Sequence, residues 1–350
     1  MKRNIYDLPI EKFENLLVND GQKKFRATQI LEWVYRKNVH DFSLMTNIGK
    51  DSISYFEENY EIKELLLEKC QISSDGTRKY LFKLEDGNFI ETVLMKHEYG
   101  HSVCVSTQVG CNMGCAFCAS GMHKKVRSLE TWEMVCQVKK INEDLNKEGL
   151  RVSHIVVMGI GEPFDNYDNL LDFLKIVNYP KGLEIGARHI TVSTVGLVPK
   201  ILEFANFPLQ INLAVSLHFA NDELRSKYMP VNKAYSINEL KEALNKYFSI
   251  TSRRITFEYI LLDGINDSVK DAFDLIKFIK GMNCYVNLIP MNETNGVFRR
   301  SKEANMKAFY ETLMKNGVNA TLRKEHGHDI DAACGQLRIK TMKEKGVWKD

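Results

Sequence analysis

Cys111-Asn112-Met113-Gly114-Cys115-Ala116-Phe117-Cys118 is the stretch on which the reading of this chain turns. Three cysteines stand in a C-x3-C-x2-C spacing and no fourth follows. Tetrahedral structural zinc takes four protein ligands, and most iron–sulfur clusters take four thiolates. Three thiolates on a four-iron cube leave one iron open, able to hold a small molecule through an amine and a carboxylate and to pass it an electron. The competing assignment is a zinc site completed by Cys104, His123 or a more distant residue. Gly110 and Gly114 flank the cysteines and let backbone come close to an inorganic core.

Including the aromatic Phe117 before the last cysteine, the octet resembles the radical S-adenosylmethionine (SAM) superfamily. That resemblance implies cluster ligation by Cys111, Cys115 and Cys118, with SAM on the open iron. Outward from the loop, strand-like and helical runs alternate. Strands are predicted near 102–107, 153–158, 189–194, 211–217, 254–262 and 285–289, and helices near 129–147, 167–177, 197–205, 236–247, 268–280 and 302–316. Such alternation implies a parallel sheet, here an α/β fold with an incomplete (β/α)6 barrel.

Period-two alternation sorts the strand faces. Ser102, Cys104 and Ser106 share one, as do Thr191 and Ser193, then Asn212, Ala214, Ser216 and His218, then Arg254, Thr256 and Glu258, and last Tyr285, Asn287 and Ile289. A filled barrel prefers bulky branched residues inside, so a small polar lumen points to a polar ligand. Met158-Gly159-Ile160-Gly161-Glu162-Pro163 follows the second strand, with glycines that let backbone meet a ligand and a glutamate that can accept from an ammonium. By resemblance, Gly161, Glu162, Ser193, Ser216, Leu217, His218 and Asn292 are the candidate SAM contacts.

Upstream, 66–96 reads as short antiparallel strands turned by Ser74-Asp75-Gly76 and Glu85-Asp86-Gly87. Residues 1–65 read as a helical module with a basic cluster of Lys23, Lys24, Arg26, Arg36 and Lys37, either a solvated face or a grip on RNA phosphates. The expected division is 1–65, the 66–96 connector, a 97–325 core and a 326–350 C-terminal segment. Lys124, Lys125, Arg127, Arg253 and Arg254 are further candidates for phosphate contact, and Ile339 to Asp350 is expected to be a frayed basic tail.

Bulk properties exclude more than they select. The 350 residues are 44% hydrophobic and 27% charged, without an apolar run of membrane-spanning length or a signal-peptide h-region. Eight cysteines in such a chain suggest metal or redox chemistry in a reducing cytoplasm rather than a disulfide framework. A net charge of +3 does not by itself establish a nucleic-acid partner.

Phe25-Arg26-Ala27-Thr28-Gln29-Ile30, the run Cys104 to Cys111, Gly186-Ala187-Arg188-His189, Ser216-Leu217-His218 and Asp329-Ile330-Asp331-Ala332-Ala333-Cys334-Gly335-Gln336-Leu337 are similar to segments of the RlmN/Cfr family of radical SAM RNA methyltransferases. This resemblance implies methylation of adenosine C2 in 23S rRNA and tRNA, with two SAM molecules per turnover and a [4Fe-4S] cluster. Cys334 would carry a methyl group taken from the first SAM, and a radical made from the second would activate it to add to C2. Glu91 would accept the proton, and Cys104 would release the product by forming a transient disulfide with Cys334. A reducing donor such as flavodoxin, a monomeric state and no membrane partner are expected. The alternatives are a C8-directed Cfr-type enzyme, a non-catalytic zinc-stabilised RNA-binding protein and an electron-transfer protein; the last has no need of a second thiol pair.

Overall fold

The structure, a computed structural model, describes residues 2–122, 124–292, 297–323, 326–327, 329–330 and 336–346. Among them, ten strands form one sheet whose order follows the chain: β1 Leu66–Ile72, β2 Arg78–Lys83, β3 Phe89–His97, β4 Gly100–Cys104, β5 His154–Val157, β6 Ile190–Thr194, β7 Asn212–Ser216, β8 Ile255–Leu261, β9 Cys284–Pro290 and β10 Ala320–Leu322. From β4 onward neighbouring strands pair parallel. The six expected strands are all present, and β10 adds a seventh parallel strand. It is three residues long, too short for periodicity to reveal.

The helices are α1 Ile10–Asn19, α2 Phe25–Tyr35, α3 Lys50–Asn59, α4 Thr131–Asn146, α5 Tyr167–Asn178, α6 Val198–Phe204, α7 Asp222–Tyr228, α8 Ile237–Thr251, α9 Val269–Ile279, α10 Glu303–Lys315 and α11 Gln336–Glu344. Local chemistry starts several of them. Reciprocal capping boxes open α4 (Glu130 with Glu133), α8 (Ser236 with Glu239) and α9 (Ser268 with Asp271), satisfying backbone N–H groups the first turn leaves over.

The core lies between the sheet and these helices. Val103, Ile155, Val157, Val192, Leu213, Val215, Phe257 and Leu288 point outward and meet Leu170, Phe173, Leu240, Leu275 and Phe309. Each such side chain contributes about 1.5–3 kcal/mol on burial. Alternation therefore turns the small and polar faces into the lumen, with the strands' C-terminal ends at one mouth, called upper here.

The three strands before the barrel continue its sheet rather than forming a separate cap. β3 pairs antiparallel with β4, placing Val93 opposite Cys104. The C-terminal tail also differs from expectation. Gln336–Glu344 is helical, and Leu337 joins Leu81 and Phe89 in a small apolar cluster on the connector face, with Met342 packed against it. The weakly amphipathic, lysine-rich sequence of α11 gives little local sign of a helix; burial of Leu337 against a distant sheet supplies the reason for it.

Candidate active site

The cysteine loop leaves the upper end of β4. It is held from outside: Ala116 N donates to Tyr228 O at 2.9 Å, and the Phe117 ring meets the His218 ring nearly edge-on at 5.0 Å. Phe219, Met229 and Phe298 pack around Cys115 and Phe117. Cys111, Cys115 and Cys118 line one cavity of about 210 Å³ together with Met158, Gly161, Glu162, Ser193, Ser216, His218, Glu258 and Arg323.

Among the described residues no three His, Cys, Asp or Glu side chains converge tightly enough to hold one ion. Zinc at about 2.3 Å from each sulfur needs that convergence. A four-iron cube instead needs thiols spread around a larger body, each meeting a different iron, and these three face a common cavity. Burial pushes the Cys111 thiol up to about 11 and the Cys115 thiol higher still, so a bound cation is what would make both thiolates. The residues present thus fit the cluster better than zinc. His123 lies outside the described residues.

Gly159 and Gly161 have a structural duty that sequence reading missed. A Cβ on Gly159 would sit 2.7 Å from Ser106 N and Val105 O; one on Gly161, whose φ is +110°, would sit 2.6 Å from Gln108 Cβ. These glycines press the loop after β5 against the chain leading to the cysteines, as well as lining the cavity. Ile160 O accepts from Thr107 N at 2.9 Å, and Gln108 Oε1 accepts from Glu162 N at 3.0 Å.

Glu162 is buried. Its Oε1 accepts from Phe164 N at 3.0 Å and its Oε2 from Val195 N at 2.9 Å. Burial outweighs those hydrogen bonds and raises its carboxyl to about 7, so a cation arriving in the cavity would favour the ionised form. Ser193 and Ser216 hydroxyls lie 3.2 Å apart across β6 and β7. His218, at φ +57°, accepts at Nδ1 from Ile260 N at 3.1 Å, and burial lowers it to about 3, leaving a neutral ring.

Two of the expected contacts have side chains outside the cavity wall. Leu217 alternates away from Ser216 and His218, and its side chain is wholly within the core. Asn292 is exposed just past β9 and is not part of the cavity wall. Conversely, Glu258 and Arg323 belong to the wall without having been singled out. Glu258, held by Asn287 Nδ2 at 2.8 Å, already stood on the predicted polar face of β8; Arg323 follows the unforeseen β10 and carried no signal.

Cys104 keeps partial solvent access at the end of β4, yet enough protein surrounds it that burial pushes its thiol up to about 11, opposed by the nearby charges of Arg323 and Lys79. Glu91, on β3, is buried beside it and paired with Lys79. Cys334 lies outside the described residues. The chain on both sides of it is tied to the connector strands. Upstream, Asp329 accepts from the Ser73 hydroxyl and from Ser74 N, and Asp75 accepts from Gly327 N at 2.9 Å. Downstream, Arg338 N donates to Glu91 Oε1 at 2.5 Å.

Several cations expected to meet phosphate already have partners within the chain. Lys125 pairs with Asp165 at 2.7 Å, and Arg127 bridges Glu133 and Asp86 at 2.7 and 2.6 Å. In the amino-terminal helices Lys24 pairs with Glu14 and Arg36 with Glu184, while Lys37 lies 3.4 Å from the Trp33 ring centre. Arg253 and Arg254 stand at the lower mouth, away from the cysteines.

An open α/β barrel with three thiols of one loop around a cavity at its upper mouth defines a radical SAM enzyme, and the radical SAM superfamily model matches residues 105–276. A second model, the ribosomal RNA large subunit methyltransferase N-terminal domain, matches residues 3–62. The chain belongs to the RlmN family of dual-specificity RNA methyltransferases: a probable member from Listeria welshimeri is 54% identical over 99% of this chain and 96% of its own length. Another, from Acholeplasma laidlawii, is 53% identical over 97% and 99%. The crystal structure of a radical SAM methyltransferase from Sphaerobacter thermophilus superposes with a TM-score of 0.90 at 42% identity, covering 95% of this chain and 98% of that one. The chain is accordingly a radical SAM RNA methyltransferase, and its family's cofactors are a [4Fe-4S] cluster and SAM. Among the described residues no helix is long and apolar enough to cross a membrane.

Proposed function

We propose that this enzyme methylates C2 of adenosine in 23S rRNA and tRNA through a methyl group carried on Cys334, as a cytoplasmic monomer served by a reducing donor such as flavodoxin. The observation that carries this reading is the convergence on one sheet of Cys104, Glu91 and the chain flanking Cys334 on both sides.

Cys111, Cys115 and Cys118 would hold the cluster, and Gly161, Glu162, Ser193, Ser216 and His218 would face SAM. Bound there, these cofactors supply a methyl group and the one-electron cleavage of a sulfonium. The chain's own residues do the rest. Cys334 sulfur, once methylated, would be joined through that carbon to C2, the bound cofactors removing one hydrogen atom from the methyl and taking back one electron from the adduct. Glu91 takes the C2 proton. Cys104 then attacks Cys334 sulfur; a disulfide forms, the S–C bond breaks with its electron pair passing to the carbon, and that carbon takes up a proton to become the methyl group of the released base. Burial keeps Cys104 mainly a thiol at neutral pH; the positive charges of Arg323 and Lys79 beside it work toward the attacking thiolate, and the negative charge of Glu91 against it. The target base must leave its stack to reach the upper mouth.

Nucleoside analysis by mass spectrometry, after reconstituted enzyme has acted on RNA with SAM, tests the proposal. The expected product is 2-methyladenosine. 8-Methyladenosine would move the chain to the Cfr type, and a colourless protein carrying zinc without iron would make it a binding protein.

A further inference from the structure

Lys79 Nζ lies 3.0 Å from Glu91 Oε2, with the two side chains 0% and 2% exposed. Both charges have been taken out of water, an arrangement that an apolar pair of similar volume commonly equals or betters for stability. Leu81, Phe89 and Leu337 already provide an apolar contact between connector and α11, and a short polar side chain at the helix start could satisfy the first turn of α11 without any buried charge. The pair is placed beside the redox thiol instead. Lys79, Val93 and Cys104 occupy one cross-strand row on β2, β3 and β4, and the charges of Lys79 and Glu91 both act on Cys104. The other oxygen of Glu91 accepts from Arg338 N, in the first turn of the helix that begins two residues after Cys334.

We propose that Lys79 is a positioning residue for the methyl transfer, fixing the Glu91 carboxylate between Cys104 and the first turn of α11. This rests on the reading of Glu91 as proton acceptor. With Oε2 held by the ammonium, the carboxylate cannot turn away. Its Oε1 then serves two ends, holding the helix after Cys334 and standing ready for a proton. A proton taken at Oε1 competes with the Arg338 N–H for that oxygen, while Lys79 keeps the group in place.

The test uses full-length reconstituted enzyme and the variants Lys79→Met, Glu91→Gln and Lys79→Met/Glu91→Leu. Lys79→Met is expected to keep its iron content, its SAM cleavage and its methylation of Cys334, read by peptide mass spectrometry. Its multiple-turnover rate should fall about 10- to 100-fold, the usual cost of losing a supporting group, and covalent protein–RNA adduct should accumulate as in Glu91→Gln. The double variant should be no slower than the slower single one, because the two residues act as a unit. Wild-type turnover in Lys79→Met overturns the proposal. So does a loss of iron and of Cys334 methylation in step with turnover, or a double variant that regains turnover together with thermal stability, since either marks a purely structural pair. Should Lys79→Met fail to fold, Lys79→Gln, which keeps one donor for Glu91, is judged by the same adduct ratio. Normal turnover in Glu91→Gln would remove the proton-acceptor reading itself; normal turnover in Lys79→Met beside a slow Glu91→Gln removes Lys79 alone.

Discussion

The two mouths of the barrel are lined by the same strands and differ in almost everything else. Thr191, Asn212 and Thr256 face the lower opening, and Ser193, Ser216 and Glu258 the upper one, two to four residues further along. At the upper mouth Ser193, His218, Glu162 and Glu258 are buried and hydrogen-bonded beside three thiols. At the lower mouth Arg188, Arg253 and Arg254 border a cavity of about 440 Å³ with no carboxylate in its described wall. There Arg253 donates to the carbonyls of Leu209 and Ile211 at 3.1 Å, and Arg254 lies 5.0 Å from the Tyr285 ring centre. Strand polarity accounts for the contrast. Chemistry collects where loops leave the C-terminal ends of parallel strands, whereas the opposite face turns the chain back and is free to carry exposed charge.

The largest effect that would break this comparison is expected from the cysteine loop. Cys118→Ala should lose the cluster and all methylation, read by iron content and visible absorbance; retained iron with SAM cleavage would show that the upper mouth was assigned wrongly. Next, Cys104→Ala should still methylate Cys334 yet stall as a protein–RNA adduct on denaturing gels. Released product at the wild-type rate would remove its resolving role.

Gly161→Ala forces a Cβ into Gln108 at a positive φ. It should lower stability by about 1–3 kcal/mol and weaken SAM binding in equilibrium dialysis, whereas Gly264→Ala, with open space around it, should leave SAM binding unchanged. A subtler contrast concerns pH. His218 is held neutral, with its ring lowered from 6.5 to about 3. The unfolded chain therefore takes up this proton first, so the stability contribution is present above about 6.5 and is lost progressively as pH falls toward 3. Buried Glu162, raised to about 7, acts in the opposite sense over the same window, so the His218 part is read as a difference: between pH 7 and 5 the urea-derived stability of apo wild type should fall by about 2 kcal/mol relative to that of His218→Gln. The smallest effect belongs to the lower mouth. Arg254→Ala should leave iron content and SAM cleavage unchanged and lessen the salt slope of RNA binding by about 1 at most.

Much of the site was legible because its signals are local. The C-x3-C-x2-C spacing, the alternation that puts Ser193, Ser216, His218 and Glu258 on one side, and the Gly159–Gly161 turn are each read within a few residues. Leu217 shows what alternation adds to a resemblance: the side chains of Ser216 and His218 line the cavity, and that of Leu217 packs into the core. Lys125 and Arg127 show the limit of counting charge, since Asp165, Glu133 and Asp86 had spoken for both.

By itself the sequence determined the parallel alternation, the polar lumen and the three-thiol loop, because a strand's two faces and a helix's stripe follow from backbone geometry alone. Only the tertiary structure decided that the connector joins the barrel sheet, that α11 folds back onto it, and that Arg338 meets Glu91 across 247 residues. Pairings over such separations form when burial brings distant segments together, and no short-range period records them.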